Sequence, residues 1–234
     1  ATKRFGYVTT YDTKPKRRLF EMLEKQGLDT SQSITFISDG GDNVRDLQLY
    51  LSPNAEHILD WFHITMRVTV INQMLKGLTS DDSITFKEDM ENIKWHLWHG
   101  HVLEALEKLE YLVDDFYELI SNLKDEDSRE YKLWKQTDEL HNYISANRNY
   151  VINYSERYHH GEIISSAFVE STVNELISRR MVKQQQMRWT KQGAHLLLQV
   201  RIKTLNNELK GCFNNWYPGF ENMDGRSMAV AVAA

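Results

Sequence analysis

Two carboxylates in this chain stand where a divalent cation could be held, Asp39 and Glu170, and a third acid, Asp60, is followed at helical spacing by His63. Asp39 ends the apolar run Ile34-Thr35-Phe36-Ile37-Ser38 and is followed at once by Gly40-Gly41. A short β-branched and aromatic run closed by two glycines reads as a buried strand with a sharp turn at its tip. An acid at the carboxyl end of such a strand faces the crevice where open α/β sheets bind ligands. A lone aspartate there more commonly only caps the turn. Asp60 and His63 lie on one side of a first helical turn, where they could bind a metal or a phosphate. The commoner arrangement is a helix cap beside a hydrogen-bonded imidazole.

Glu170 sits in the helical pattern IISSAFVESTVNELI, with Ile163, Val173 and Ile177 on its face. A carboxylate on an apolar stripe is costly unless it is paired or holds a metal. A buried ion pair with Arg179 or Arg180 is the plainer alternative. Two-metal phosphoryl transfer gathers several carboxylates around two Mg²⁺ ions roughly 4 Å apart. Asp39 and Glu170 supply two of them if the helix packs beside the strand tip. His96, His99 and His101 lack a cysteine or acid at ligand spacing, so they make a weak zinc motif. His159-His160 reads as a loop feature, and the glycine-rich phosphate loops are absent.

The elements that must position these groups begin as a parallel α/β pattern. Residues 4–10 (RFGYVTT) read as a strand. A helix over 15–26 follows, opened by Pro15 and ended by Gly27. The strand to Asp39, a helix over 43–51, a strand over 57–61 and a helix over 62–76 come next. From 84 to 154 only helices are expected, with Leu103, Leu106, Leu109, Val113, Phe116 and Ile120 three or four residues apart. Helices over 162–183 and 193–209 close the pattern, and residues 221–234 read as a disordered tail. The expected division is a partial core over 1–76, an acidic helical insertion over 77–155, and core helices carrying Glu170 over 156–220. Three strands are few for an open α/β sheet, so further strands are expected upstream or from a partner.

Charge is segregated along the chain. The 234 residues carry a net −5, and residues 80–140 hold 17 acids against 7 bases, leaving +5 elsewhere. Residues 179–203 contain Arg179, Arg180, Lys183, Arg188, Lys191, Arg201 and Lys203 and no acid. Lys14, Lys16, Arg17 and Arg18 form a second cluster. The basic parts suit phosphates and the acidic middle does not. The single cysteine, Cys212, forms no internal disulfide, which fits a reducing cytoplasm. No apolar run is long enough to span a bilayer.

Three strings, ISDGGDNVRDLQLYL, HILDWFHITMRV and AFVESTVNELISRRMVKQQQMRW, resemble bacterial insertion-sequence transposases of the Kra type. These are Mutator-related DDE transposases with an RNase H-like catalytic core. The likeness covers nearly all of the chain up to Phe220. It implies an α/β fold, an incomplete RNase H-like core with an all-helical insertion domain. It also implies that Asp39 and Glu170 are the second and third catalytic acids, holding Mg²⁺ or Mn²⁺. Asp60 and His63 match the Asp-x-x-His signature. Arg179, Arg180, Lys183, Arg188, Trp189 and Lys191 would then meet DNA, at transposon ends and target, in a cytoplasmic, nucleoid-associated and homo-oligomeric enzyme. The first catalytic acid belongs on an upstream strand, a role Asp12 fits poorly. The chain thus resembles a C-terminal fragment, inactive alone. A DNA-binding or assembly module without catalysis is the alternative.

Overall fold

The computed structural model describes residues 2–29, 31–77, 83–121, 125–182 and 188–218, with backbone alone at Ser83, Arg179, Arg180 and Val182. Along the chain run α1 (Pro15–Lys25), β1 (Thr35–Ser38), α2 (Asp42–Leu51), β2 (Glu56–Leu59), α3 (Trp61–Leu75), α4 (Ser83–Trp98), α5 (Val102–Ile120) and α6 (Arg129–Asn147). After a 3-10 turn (Arg148–Tyr150) come α7 (Tyr154–His159), α8 (Ala167–Val173), a π-helix (Asn174–Val182), α9 (Lys191–Leu205) and α10 (Leu209–Trp216). The described chain is mostly helical, with one small parallel sheet. It divides into two units, one over residues 29–168 and the other joining residues 1–28 to the chain from 169 onward.

In the larger unit, β1 and β2 pair in parallel with Thr35 opposite Glu56 and Ser38 opposite Leu59. Helix α2 makes the crossover between them, as parallel pairing requires. Ile58 and Leu59 are fully buried, and α3 buries Ile64, Val68, Ile71 and Leu75, the stripe of a 3.6-residue period. Met90, Ile93 and Leu97 of α4, Leu109, Leu112 and Phe116 of α5, and Leu133, Leu140 and Ile144 of α6 join the same core. Each such side chain contributes roughly 1.5–3 kcal/mol of transfer free energy. The acidic helical segment is thus not a separate body. It shares one apolar interior with the strands, its charged residues turned outward.

The smaller unit corrects one expectation. Residues 4–10 form no strand. Their polar backbone groups are taken up by side chains instead. Arg4 N donates to Asn206 Oδ1 (2.9 Å), Asn206 Nδ2 donates to Arg4 O (2.9 Å), Gln199 Nε2 donates to Gly6 O (2.9 Å), and Val8 N donates to His195 Nδ1 (3.4 Å). The β-branched run is satisfied by α9 and its C-terminal turn rather than by a ladder, so among the described residues the sheet has two strands. Leu176, Leu198 and Ile202 form this unit's small core. Thr190 caps α9 by accepting from Gly193 N (3.0 Å).

The expected helix over 162–183 is also shortened and changed in type. Residues 162–166 are non-helical, α8 starts at Ala167, and a π-helix continues it. The delay has a local cause, described below: Ser166 is bound to a buried carboxylate. Residues 221–234, read from sequence as a tail, lie outside the described residues.

Candidate functional site at the strand ends

Both strands of the larger unit end in an aspartate, and the two are treated very differently. Asp39 is exposed. Its Oδ1 accepts from Gly41 N (3.1 Å), closing a one-carboxylate turn. Gly40 takes φ +84°, and a Cβ there would lie 2.8 Å from Asn147 Cγ. The C-terminal end of α6 therefore sits directly against the strand tip. Asn147 is held in turn by Arg45, whose guanidinium donates to its Oδ1 (2.9 Å), while its own Nδ2 donates to Tyr143 O (2.9 Å).

Asp60 has no exposed surface. Its Oδ1 accepts from Phe62 N (2.9 Å) and Ser166 N (3.0 Å), and its Oδ2 accepts from the Ser166 hydroxyl. Its own N–H donates to Ser38 O (2.8 Å), and Trp61 N donates to Ile164 O (3.2 Å). Asp60 thus caps α3 and at the same time ties residues 164–166 to the end of β2. His63 Nε2 stands 3.6 Å from Oδ2, within reach of a charge but too far for a hydrogen bond. With both oxygens occupied by protein donors, Asp60 is a structural clamp rather than a metal ligand.

A cationic and aromatic wall lines the same end. Arg67, one helical turn beyond His63, lies over the Tyr143 ring of α6, 4.3 Å from its centroid. The Tyr143 hydroxyl is buried without a hydrogen-bond partner among the described residues, and burial raises its pKa. The Arg67 charge opposes that rise, and the carboxylates of Asp39 and Asp60 add to it. On the other side Arg45 stacks on Tyr150 (4.5 Å), which stacks on His57 (4.6 Å). His57 Nε2 meets Ser38 Oγ at 2.7 Å while its Nδ1 is buried and unpaired among the described residues. Burial, then the nearby Arg45 charge, lowers the His57 pKa.

The sequence-derived residues are therefore split. Asp39, Asp60 and His63 all belong to the strand ends of the larger unit. Glu170 belongs to the smaller unit, on α8. The apolar stripe expected around it is only partly buried: Glu170 is exposed, and so are Ile163 and Val173, at 61% and 38%, while Ile177 is half-buried against the small core. The expected cost of burying its charge does not arise, and Glu170 makes no ion pair among the described residues. Arg188 and Lys191 are exposed, and Trp189 is half-buried with its indole nitrogen unpaired among the described residues. Arg179 and Arg180 lie on the π-helix with side chains outside the described residues, where Lys183 lies altogether. Arg201 is committed to structure, its guanidinium donating to the carbonyls of Leu176 (2.9 Å) and Glu175. In the other basic cluster Arg17 pairs with Glu21 (2.8 Å) and Arg18 with Asp12.

Sequence reasoning missed Arg67, Tyr143, Asn147 and Ser166. Arg67 had a signal, four residues after His63 and so on the same helical face. The other three reach the site through packing and had none.

Magnesium and manganese prefer oxygen donors. Exposed Asp39, with one oxygen in its turn and the other without a hydrogen bond among the described residues, suits such an ion, and so does the exposed carboxylate of Glu170. Asp60 does not. Among the described residues no group of three or more His, Cys, Asp or Glu side chains is placed to hold a metal, and no helix is long and apolar enough to cross a membrane. No family model, curated protein or solved structure matches this chain.

Proposed function

We propose that the chain is part of the catalytic domain of a DDE-type transposase with an RNase H-like core, acting on DNA phosphodiesters with Mg²⁺ or Mn²⁺. The observation that supports this best is the pairing at the strand ends. An exposed aspartate on a glycine turn stands beside a second aspartate whose hydrogen bonds fix the start of α3. That helix then presents His63 and Arg67, groups suited to a phosphate, on one face. Asp39 and Glu170 are the proposed ligands, and Asp60 and His63 are the signature pair. The basic segment with Arg179, Arg180, Lys183, Arg188, Trp189 and Lys191 is the proposed DNA contact. A bound divalent ion would supply a polarised phosphoryl oxygen and an activated nucleophile. The chain's own part is to place Asp39 rigidly, to lay the phosphate against Arg67, and to hold DNA along the basic segment.

The test is strand cleavage and strand transfer with Mg²⁺, measured on this chain and on a form extended upstream. Asp39→Asn and Glu170→Gln are each expected to abolish cleavage while leaving the fold intact, since both side chains are exposed. Full activity in either variant rejects the assignment. A second reading is a DNA-binding or assembly module without catalysis. It requires DNA binding that is unaffected by both substitutions and no cleavage in either form.

A further inference from the structure

Asp39 is carried on a turn that the sequence leaves free. Two glycines follow it, and Asp39, Gly41 and Asp42 are all exposed. Glycine gives the backbone more conformations than any other residue, and a carboxylate on such a turn loses that freedom whenever it binds a ligand. The turn's own hydrogen bonds are short in range. Gly41 N donates to Asp39 Oδ1 and Gly40 N donates to Ser38 Oγ, both at 3.1 Å. Both lie within residues 38–41, so neither ties the turn to a second element.

Asn147 does. It is 6% exposed, and its side-chain amide fills the place of a Gly40 Cβ, which would stand 2.8 Å from Asn147 Cγ. Asn147 is fixed on two sides. Its Nδ2 donates to Tyr143 O (2.9 Å), back across one turn of α6, and Arg45 donates to its Oδ1 (2.9 Å). Arg45 belongs to α2, the helix that leaves the turn, and its guanidinium lies 4.5 Å from the centre of the Tyr150 ring. A circuit thus closes around Asp39. β1 enters the turn, α2 leaves it, and Arg45 reaches from α2 to the residue that presses on Gly40. Satisfying a carbonyl near the end of α6 explains the bond to Tyr143. It does not explain the arginine, which pairs with no carboxylate among the described residues and is spent on a neutral amide.

We propose that Asn147, gripped by Arg45, is the positioning residue for Asp39, holding the Gly40 backbone so that the carboxylate is oriented before a divalent ion arrives. The inference rests on the reading of Asp39 as a metal ligand and adds how the chain keeps it ready. Neither Asn147 nor Arg45 touches the ion. They act through the turn, and order present before binding is not lost again on binding.

Two readouts separate this from plain stability. Water-exchange NMR of the Gly41 amide, in metal-free buffer, follows the bond to Asp39 Oδ1. Mn²⁺ titration read by electron paramagnetic resonance follows the ligand. Asn147→Ala should speed Gly41 exchange about tenfold, a local opening that leaves the Asp60 amide, bonded to Ser38 O, protected. It should weaken Mn²⁺ binding about tenfold, the low end of what groups that orient a metal ligand are worth. Arg45→Met frees Asn147 without emptying its place and should act in the same direction by less. Met90→Ala, a cut in the buried core on α4, lowers the thermal melt and should change neither readout. Unchanged Gly41 exchange in Asn147→Ala overturns the proposal, as does a loss of Mn²⁺ affinity in Met90→Ala equal to that in Asn147→Ala. Asp39→Asn tells the two readings apart. Mn²⁺ binding lost in Asp39→Asn but intact in Asn147→Ala overturns the positioning alone. Mn²⁺ binding that Asp39→Asn leaves intact overturns Asp39 as a ligand, and this inference with it.

Discussion

The two strand-end aspartates differ in what surrounds them, and the difference sorts their roles. Asp60 is held by two backbone N–H groups and a hydroxyl. Replacing it with alanine leaves those buried donors unpaired, at roughly 1–3 kcal/mol each for the donors that find no water. Asp60→Ala should therefore lower unfolding free energy by about 3 kcal/mol in urea titration, and Ser166→Ala by less. Asp39→Asn, at an exposed position, should change that midpoint little. His57 gives a pH dependence. Its folded pKa is lowered, so the unfolded chain binds the proton first as pH falls. Its contribution is whole above about 6.5, the unfolded value, and declines as pH drops from there through the folded value. His96, whose pKa is also lowered chiefly by burial, acts in the same direction. The melting temperature should fall between pH 7.5 and pH 5.5, and a His57→Gln variant should show a shallower fall.

Between elements, the contact that matters most is α6 against the β1 turn. Gly40 carries φ +84°, and Asn147 occupies the space a Cβ would need. Gly40→Ala combines backbone strain with a clash against a side chain that Arg45 already holds. A loss of roughly 2–3 kcal/mol is expected in denaturant unfolding. An Asn147→Ala background opens that space, so the additional cost of Gly40→Ala should be smaller there, a coupling that a double-mutant cycle reads directly. The same contact explains why the helical segment cannot be regarded as an accessory: Tyr143, Asn147 and Tyr150 form part of the wall around Asp39, and Tyr154 donates its hydroxyl to Leu59 O (2.8 Å) at the end of β2.

Across the whole molecule charge is divided by region, with the acids concentrated between 80 and 140 and an acid-free basic run beyond 179. If the basic run holds DNA, affinity should fall steeply with salt, because each neutralised phosphate releases counterion. Arg188→Ala and Lys191→Ala, both at exposed positions, should each lower the slope of log affinity against log salt by about 1 and weaken all sequences alike. Lys203, which is paired with Glu208 (3.0 Å), should change it little.

The sequence by itself determined what depends on near neighbours. The turn at Asp39-Gly40-Gly41, the parallel pair with its crossover helix, the cap at Asp60 and the long acidic helices all follow from local periodicity and turn chemistry. Their boundaries fall within a residue or two of α2, β2 and α3. Tertiary structure decided the rest. A β-branched run at 4–10 became a non-strand segment because Asn206, Gln199 and His195, nearly two hundred residues away, bound its backbone first. The helix over 162–183 started late because Ser166 was captured by Asp60. Glu170 proved exposed because Ile163 and Val173 beside it stayed exposed, although Ile177 packs on the small core, a property of packing that spacing does not encode. Tyr143 and Asn147 reached the strand tip for the same reason in reverse: a shared core brought their helix there, and a core is built from contacts between residues far apart in the chain.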